Sequence, residues 1–308
     1  MKKITALVLS LVLCLSLTAC VDQHPQESTE PSTTGETAPQ ERRIIATSPA
    51  TLEICDRLGL DLVAIPTTAS HVPERYQGLP EVGTAMAPDA ETISILDPTD
   101  VIGPDTLAES IAPGYEAAGI PFTFIDLQSG PGMYDSIAML GEKYGVQEAA
   151  HAMIQEYEDT MAEFHKAIEG KPAPKVLVLM GLPGAYIECT PNSYVGSLVE
   201  LAGGVSVVQD DFMNFVSWNT EELLALDPDV ILLTAHGLPD AAMKMFSKEF
   251  TTNDIWQHFR AVQNNQVYEL DFSLFNMSCT FDWPEALDVL EEILYEGTYT
   301  PYVAEPAE

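Results

Sequence analysis

Two segments of the chain follow one pattern, and that repeat limits the fold more than any other feature. ETISILDPTDVIG (residues 91–103) aligns with EELLALDPDVILL (residues 221–233). Each opens on a glutamate, runs through a short helical stretch to Asp-Pro, and passes into an apolar strand. A second pair recurs at nearly the same offset: RIIAT (43–47) and KVLVLMG (175–181) both read as short buried strands. A single helix–Asp-Pro–strand junction is common. Two matched pairs at one spacing indicate two related α/β lobes. The strand–helix–strand order inside each copy predicts parallel sheets.

In the first copy, SPATLEICDRLG (48–59) reads as a loop and a helix, with Leu52, Cys55 and Leu58 at helical spacing and Gly59 as the stop. Leu60–Ile65 is the next strand. In the second copy, SYVGSLVELAGG (193–204) is a helix closed by glycines. Between the copies, Ala149, Met153, Tyr157, Met161, Phe164 and Ile168 step by three or four. This predicts one amphipathic helix from Gln147 to Glu169, about 35 Å long at 1.5 Å per residue. His151 and His165 lie on it about four turns apart, too far to share a metal ion.

The ends read differently. MKKITALVLSLVLCLSLTAC has a basic start and an apolar run too short to span a bilayer, which is the layout of a secretory signal over residues 1–19. Leu17-Thr18-Ala19-Cys20 resembles a bacterial lipobox, which implies a diacylated Cys20 and an anchor on the outer face of the cell membrane. Residues 20–42 follow as a Ser-, Thr-, Pro- and Glu-rich tether with a reach of roughly 25 Å, expected to be disordered. His24 in it is expected to be solvated. The expected domains are then a first lobe at 43–145, a linker helix at 146–171, a second lobe at 172–296 and a tail at 297–308.

The formal net charge of −34 argues against a surface for nucleic acid or anionic lipid. Cys14 leaves with the signal. Cys55, Cys189 and Cys279 are widely spaced, odd in number and contain no CxxC, so they suggest neither a disulfide framework nor a zinc knuckle. They read as small buried apolar residues.

Two residues stand out as ligand candidates. Met86 lies in PEVGTAMAPDAE between the turn formers Gly83 and Pro88, so its thioether is either buried under a loop or presented to a ligand. VILLTAHGLPD (230–240) is a strand running into His236-Gly237. Ligands of open α/β sheets sit beyond the carboxyl ends of the strands. A lone histidine there is ordinarily hydrogen-bonded into a turn.

Two α/β lobes, one long helix and a lipid anchor together resemble the substrate-binding lipoproteins of bacterial ABC importers for siderophores, cobalamin and haem. The resemblance implies a class III substrate-binding fold: two related α/β lobes, a stiff joining helix, and a ligand cleft between the lobes. Met86 from one side and His236 from the other match Met/His ligation of haem iron. Sulfur with nitrogen suits calcium or manganese poorly. The remaining histidines of the folded part, His71, His151, His165 and His258, form no cluster in the sequence.

From about Arg43 to Tyr295 the chain resembles more closely the haem-receptor lipoproteins of Gram-positive haem importers, the IsdE type. RIIATSPATLEI, VPERYQGLPEVGTAMAPDAE, KVLVLMGLPGAY, SYVGSLVELAGG, AHGLPD, FTTNDIWQHFRAVQNNQVYEL and the segment ending in ALDVLEEI carry this resemblance. It implies Met86 and His236 as the axial ligands of a transported haem b, with Pro49, Ala50, Thr68 and Ala69 lining the haem edge. It also implies a monomer that receives haem from cell-surface donors and delivers it to an ABC permease and ATPase, with Glu91 and Glu221 docking one per lobe onto permease arginines. As carboxylates near helix N-termini, the same two residues also suit a capping role.

The loop TTASHVPERY (67–76) departs from that family pattern, with no lysine and no aromatic residue before Tyr76. His71 stands there, a candidate for contact with a propionate, the porphyrin face or the iron. Arg42, Arg43 and Arg75 are the nearby basic residues, and N–H groups at the start of the Leu52 helix are a further anion site. The rival readings are a siderophore or corrinoid receptor of the same class, an extracellular enzyme, and a structural surface lipoprotein. No GxSxG, HExxH, P-loop or GxGxxG supports the enzyme.

Overall fold

The computed structural model describes residues 42–304. The expected signal, Cys20, the tether as far as residue 41 and the last four residues lie outside the described residues.

The first lobe is built on β1 (Ile44–Ala46), an apolar triplet with every residue buried. A capped helix, α1 (Pro49–Arg57), leads to β2 (Leu62–Ala64). A small hairpin follows, β3 (Gly83–Thr84) and β4 (Ala87–Pro88), and then α2 (Ala90–Ile95). Next come β5 (Asp100–Pro104), α3 (Ala108–Ala118), β6 (Phe122–Ile125) and α4 (Gly130–Tyr144). The sheet order is β2-β1-β5-β6, all parallel.

The predicted joining helix is α5 (Gln147–Ala167), which buries Ala150, Met153, Met161 and Phe164 along one face. It packs tightly on α4 because Gly141 has no side chain. A Cβ there would lie 2.6 Å from the Cβ of Ala150.

The second lobe starts with β7 (Lys175–Leu182), which turns back as β8 (Ala185–Cys189). It continues through α6 (Tyr194–Leu201), β9 (Val205–Ser206), β10 (Phe215–Val216), α7 (Thr220–Ala225), β11 (Val230–Ala235), α8 (Pro239–Thr252), α9 (Arg260–Gln263), β12 (Val267–Glu269) and α10 (Trp283–Glu291). Its path is β10-β8-β7-β11-β12, with β9 on the starting residues of β7. β8 and β10 form the antiparallel edge, and β7, β11 and β12 run parallel.

The repeat seen in the sequence is a structural equivalence. Ile44 pairs with Asp100 in the first sheet, as Val176 pairs with Val230 in the second. Helices α2 and α7 both lead into an Asp-Pro whose aspartate is left-handed, Asp97 at φ 47° and Asp227 at φ 49°. Aspartate tolerates that region better than most residues. A cation at the start of the neighbouring strand caps each helix end. Arg43 donates to the Leu96 carbonyl at 2.6 Å, and Lys175 donates to the Leu226 carbonyl at 3.2 Å. Ser48 and Ser193 also match, each capping the helix that follows the first strand of its lobe. The second lobe differs by the β7–β8 hairpin inserted before its helix.

One hydrophobic core runs through both lobes and α5. At its centre Tyr134 of α4 stacks on Tyr157 of α5, with ring centroids 4.4 Å apart, and Trp283 of α10 meets both edge-on. The Trp283 indole N–H donates to the Tyr134 hydroxyl at 3.1 Å, and the Cys279 N–H donates to the Leu127 carbonyl at 2.7 Å. Arg57 lies 3.8 Å over the Phe281 ring. Beyond α10, the chain docks back on the second lobe, where the Tyr302 N–H donates to the Val267 carbonyl at 2.7 Å.

Glu188 on β8 is fully buried. Its Oε2 accepts the Trp218 N–H at 2.9 Å, while Oε1 has no partner among the described residues. Burial pushes the carboxyl from its ordinary 4.5 up to about 7, against the opposing effect of the Trp218 bond. Between those two values the native state holds a proton that the unfolded chain has lost, so this group's contribution to stability falls as pH rises through the window and levels off above it. Glu188→Gln keeps the shape and removes the charge. Its melting temperature is expected to exceed the wild-type value above pH 7, and the difference should shrink towards pH 4.5. Thermal unfolding of both proteins at pH 5 and pH 8 checks this, and parallel pH profiles would contradict it.

Candidate ligand cleft

The first wall of the candidate site lies beyond the carboxyl ends of β1 and β2. After β2, Ile65 bridges Glu81 in parallel, the Val82 N–H donates to the Ile65 carbonyl, and the Thr67 N–H donates to the Gly83 carbonyl at 2.8 Å. These bonds carry the β3–β4 hairpin past the sheet edge. Gly83 has φ +89°, and a Cβ on it would lie 2.6 Å from the Ala87 carbonyl oxygen, so the hairpin requires glycine there. Ala85 and Met86 form its two-residue turn. Met86 is 70% exposed and makes no hydrogen bond among the described residues, so the thioether is presented rather than buried under the loop.

Pro49 and Ala50 occupy the first turn of α1, directly after β1. Ser48 and Thr51 form a reciprocal capping box, and the Ala50 N–H is left without a partner among the described residues. Thr68, Ala69 and His71 follow β2, with the Ser70 N–H donating to the Thr68 hydroxyl at 2.9 Å. Ala69 and His71 are exposed.

The second wall starts at the carboxyl end of β11. The His236 N–H donates to the Gly181 carbonyl at 2.9 Å, which fixes the backbone. The imidazole is exposed and has no hydrogen bond or ion pair among the described residues, so the ordinary role of a turn-bonded histidine is not the one it plays. Gly237 and Leu238 are both left-handed, at φ 66° and 46°, and swing the chain sharply into α8. Leu238 costs about 1–2 kcal/mol in that region. Met86 and His236 thus stand at the carboxyl edges of separate sheets, and no hydrogen bond joins them.

Some expected residues lie elsewhere. Arg42 and Arg43 sit at the amino end of β1, the opposite edge from Ala50, where they bind the carbonyls of Tyr144 and Leu96. Arg75 is paired with Asp61 at 2.7 Å. The three basic residues read as anion candidates are therefore engaged in structural contacts. Glu91 and Glu221 occupy the second position of α2 and α7, exposed and without ion pairs among the described residues. They are not the caps. Asp89 and Asn219 are, and the Thr92 hydroxyl and backbone N–H groups hold the Asp89 carboxyl below the usual range.

Sequence patterns gave no hint of a polar link across the lobes. Gln128, after β6, donates to Asp105 Oδ2 at 2.8 Å and accepts from the side-chain amide of Asn214 in the second lobe. Asp105 Oδ1 is buried and has no partner among the described residues. Burial raises its carboxyl, with Asp126 adding to the effect and the Gln128 bond opposing it. Asp105 follows β5 directly. That position after a strand end was the only available signal. Cys55 and Cys189 are buried with thiols pushed up to about 12, which leaves them unreactive.

A cavity of about 710 Å³ opens beside Ala235 and Pro239, the residues flanking the His236 turn. Glu269, Asp271 and Glu292 line it, together with Tyr299. Its carboxylates make it a poor seat for an anionic ligand. Among the described residues no group of three or more His, Cys, Asp or Glu could hold a metal ion, and no helix is long and apolar enough to cross a membrane.

The profile of the periplasmic binding protein family matches residues 44–274, most of the described chain. The chain belongs to the periplasmic binding protein family. It is 38% identical over 300 residues to the high-affinity heme uptake system protein IsdE of Staphylococcus aureus strain Newman, covering 96% of this chain and 98% of that protein. Among solved structures, an ABC transporter substrate-binding protein from Listeria monocytogenes EGD-e superposes with a TM-score of 0.79 and 41% identity, over 83% of this chain and all of that one. S. aureus IsdE complexed with heme superposes with a TM-score of 0.77 and 38% identity, over the same shares. The two related α/β lobes expected from the repeat, and the class III fold implied by the resemblance, are the architecture of this family member. Its relatives are substrate-binding transport proteins.

Proposed function

We propose that the chain is a membrane-anchored extracellular receptor that captures haem b between its lobes and delivers it to an ABC permease for iron acquisition. The observation that carries this reading is the near-full-length similarity to a haem uptake protein and to its haem-bound structure. The site chemistry supports it. Each lobe presents one unpartnered soft donor at its carboxyl edge, the Met86 thioether and the His236 imidazole. This is the pair that suits haem iron. Haem b fits because the chain has no CxxCH for covalent attachment, and a cargo must leave. A six-coordinate iron has no open position for oxygen chemistry, in keeping with a carrier rather than an enzyme.

The haem edge is assigned to Pro49, Ala50, Thr68 and Ala69, with His71 as a further contact. With Arg42, Arg43 and Arg75 engaged elsewhere, the free Ala50 N–H at the start of α1 is the candidate donor to a propionate. Cys20 is assigned as the lipid anchor, and Glu91 and Glu221 as the contacts to the permease. The domain limits read from the sequence belong to the same proposal, as do cell-surface haem donors and a monomeric state.

Hemin titration followed by absorbance tests the ligands. Wild-type protein is expected to develop a Soret band at one equivalent. His236→Ala should lose more than about 100-fold in affinity, beyond the loss typical of outer-shell partners. Met86→Ala should lose less, because the thioether is the weaker ligand. Wild-type affinity and an unchanged spectrum in His236→Ala would remove the assignment.

In cells, the Cys20→Ala chain is expected to leave the membrane fraction. The Glu91→Ala, Glu221→Ala double variant should stay membrane-bound, bind hemin normally and fail to support haem uptake. Undiminished uptake would return both glutamates to the role of exposed surface residues.

A further inference from the structure

The internal repeat assigns a counterpart to the loop that carries Met86. In the first lobe the connection from β2 to α2 bears Thr68, His71 and Met86. In the second lobe the same connection runs from β9 to α7. It bears Phe212 and Met213, 87% and 57% exposed and adjacent in the chain. Neither belongs to a site described above.

These side chains are exposed on a backbone that is held in place. Asp210 Oδ1 accepts the N–H groups of Phe212 and Met213 at 2.9 and 2.7 Å. The Thr190 hydroxyl donates to the Met213 carbonyl at 2.6 Å, and the Thr190 N–H donates to the Asn214 carbonyl at 3.0 Å. The Asn192 amide donates to the Asp210 carbonyl at 2.9 Å. A loop pinned this firmly could have turned its apolar groups inward, yet it holds them out to water, where exposure is unfavourable. The next residue, Asn214, reaches across to Gln128 of the first lobe. The pinned loop therefore lies where the lobes meet, beside the carboxyl edge of the first sheet.

We propose that the Asp210–Asn214 loop is the second lobe's apolar wall for the ligand, with Phe212 and Met213 packing on the rim and face of a flat tetrapyrrole. An aromatic ring and a polarizable thioether both suit contact with a π-surface. Asp210 acts as a positioning residue through the two backbone bonds it accepts. The assignment rests on reading the cleft as a haem site.

The test is a hemin titration of the Phe212→Ser, Met213→Ser double variant beside wild type and Ile95→Ser, which changes an equally exposed apolar residue on α2. The double variant is expected to bind about tenfold or more weakly, with the Soret position unchanged because the iron ligands are untouched. Ile95→Ser should match wild type. Equal affinity of the double variant and wild type overturns the wall alone, whereas failure of wild type to bind hemin overturns the haem reading and the wall with it. Should the double variant fold poorly, oxidation of Met213 in wild-type protein by chloramine-T, read by mass spectrometry, replaces it. Saturating hemin is expected to slow Met213 oxidation several-fold and leave Met139 on α4 unaffected, and an unchanged Met213 rate overturns the proposal.

Discussion

The spacing of the two lobes is the constraint on which the rest depends. A ligand gripped from both sides needs donors on separate lobes held at a fixed separation, and the protein fixes it from beneath. Tyr134, Tyr157 and Trp283 come from the first lobe, the joining helix and the second lobe, and they pack as one aromatic cluster. The Cys279–Leu127 backbone bond and the Asp105–Gln128–Asn214 link tie the same seam with polar contacts. Opening such a seam would expose aromatic surface, which costs a few kcal/mol per large side chain. The lobes are therefore expected to move little relative to each other.

On that base each lobe repeats one construction. A buried strand ends in a serine-capped helix, a short helix ends in a left-handed aspartate, and a cation on the neighbouring strand covers its last carbonyls. The aspartate and the cation sit at the amino edge of each sheet, Ser48 follows the carboxyl end of β1, and Met86 and His236 lie on loops beyond the carboxyl edges. The lobes diverge where the β7–β8 hairpin enters, and that hairpin supplies the Gly181 carbonyl that holds the His236 backbone. Duplication thus explains the framework, and the insertion supports the position of His236.

Local features were the legible ones. The repeat, the 3.6-residue rhythm of α5 and the strand running into His236 are written in adjacent residues, so the fold class and the loop positions of Met86 and His236 follow from the sequence. The Gly83–Pro88 bracket marked Met86 as a loop residue, but its exposure needed the register that carries the hairpin past the sheet. The roles of Arg42, Arg43 and Arg75 were misplaced because a cation near a loop in sequence can lie on the far edge of a sheet. The Gln128–Asn214 contact joins residues far apart in the chain, and no periodicity announces it. The same holds for the tail, where Tyr302 returns to Val267.

Iron X-ray absorption of the hemin-loaded wild-type protein in the ferrous state tests whether Met86 and His236 hold the iron. One sulfur scatterer with a nitrogen-only remainder is expected, the sulfur disappearing in Met86→Ala. A first shell of nitrogen and oxygen without sulfur in the wild-type protein would contradict it.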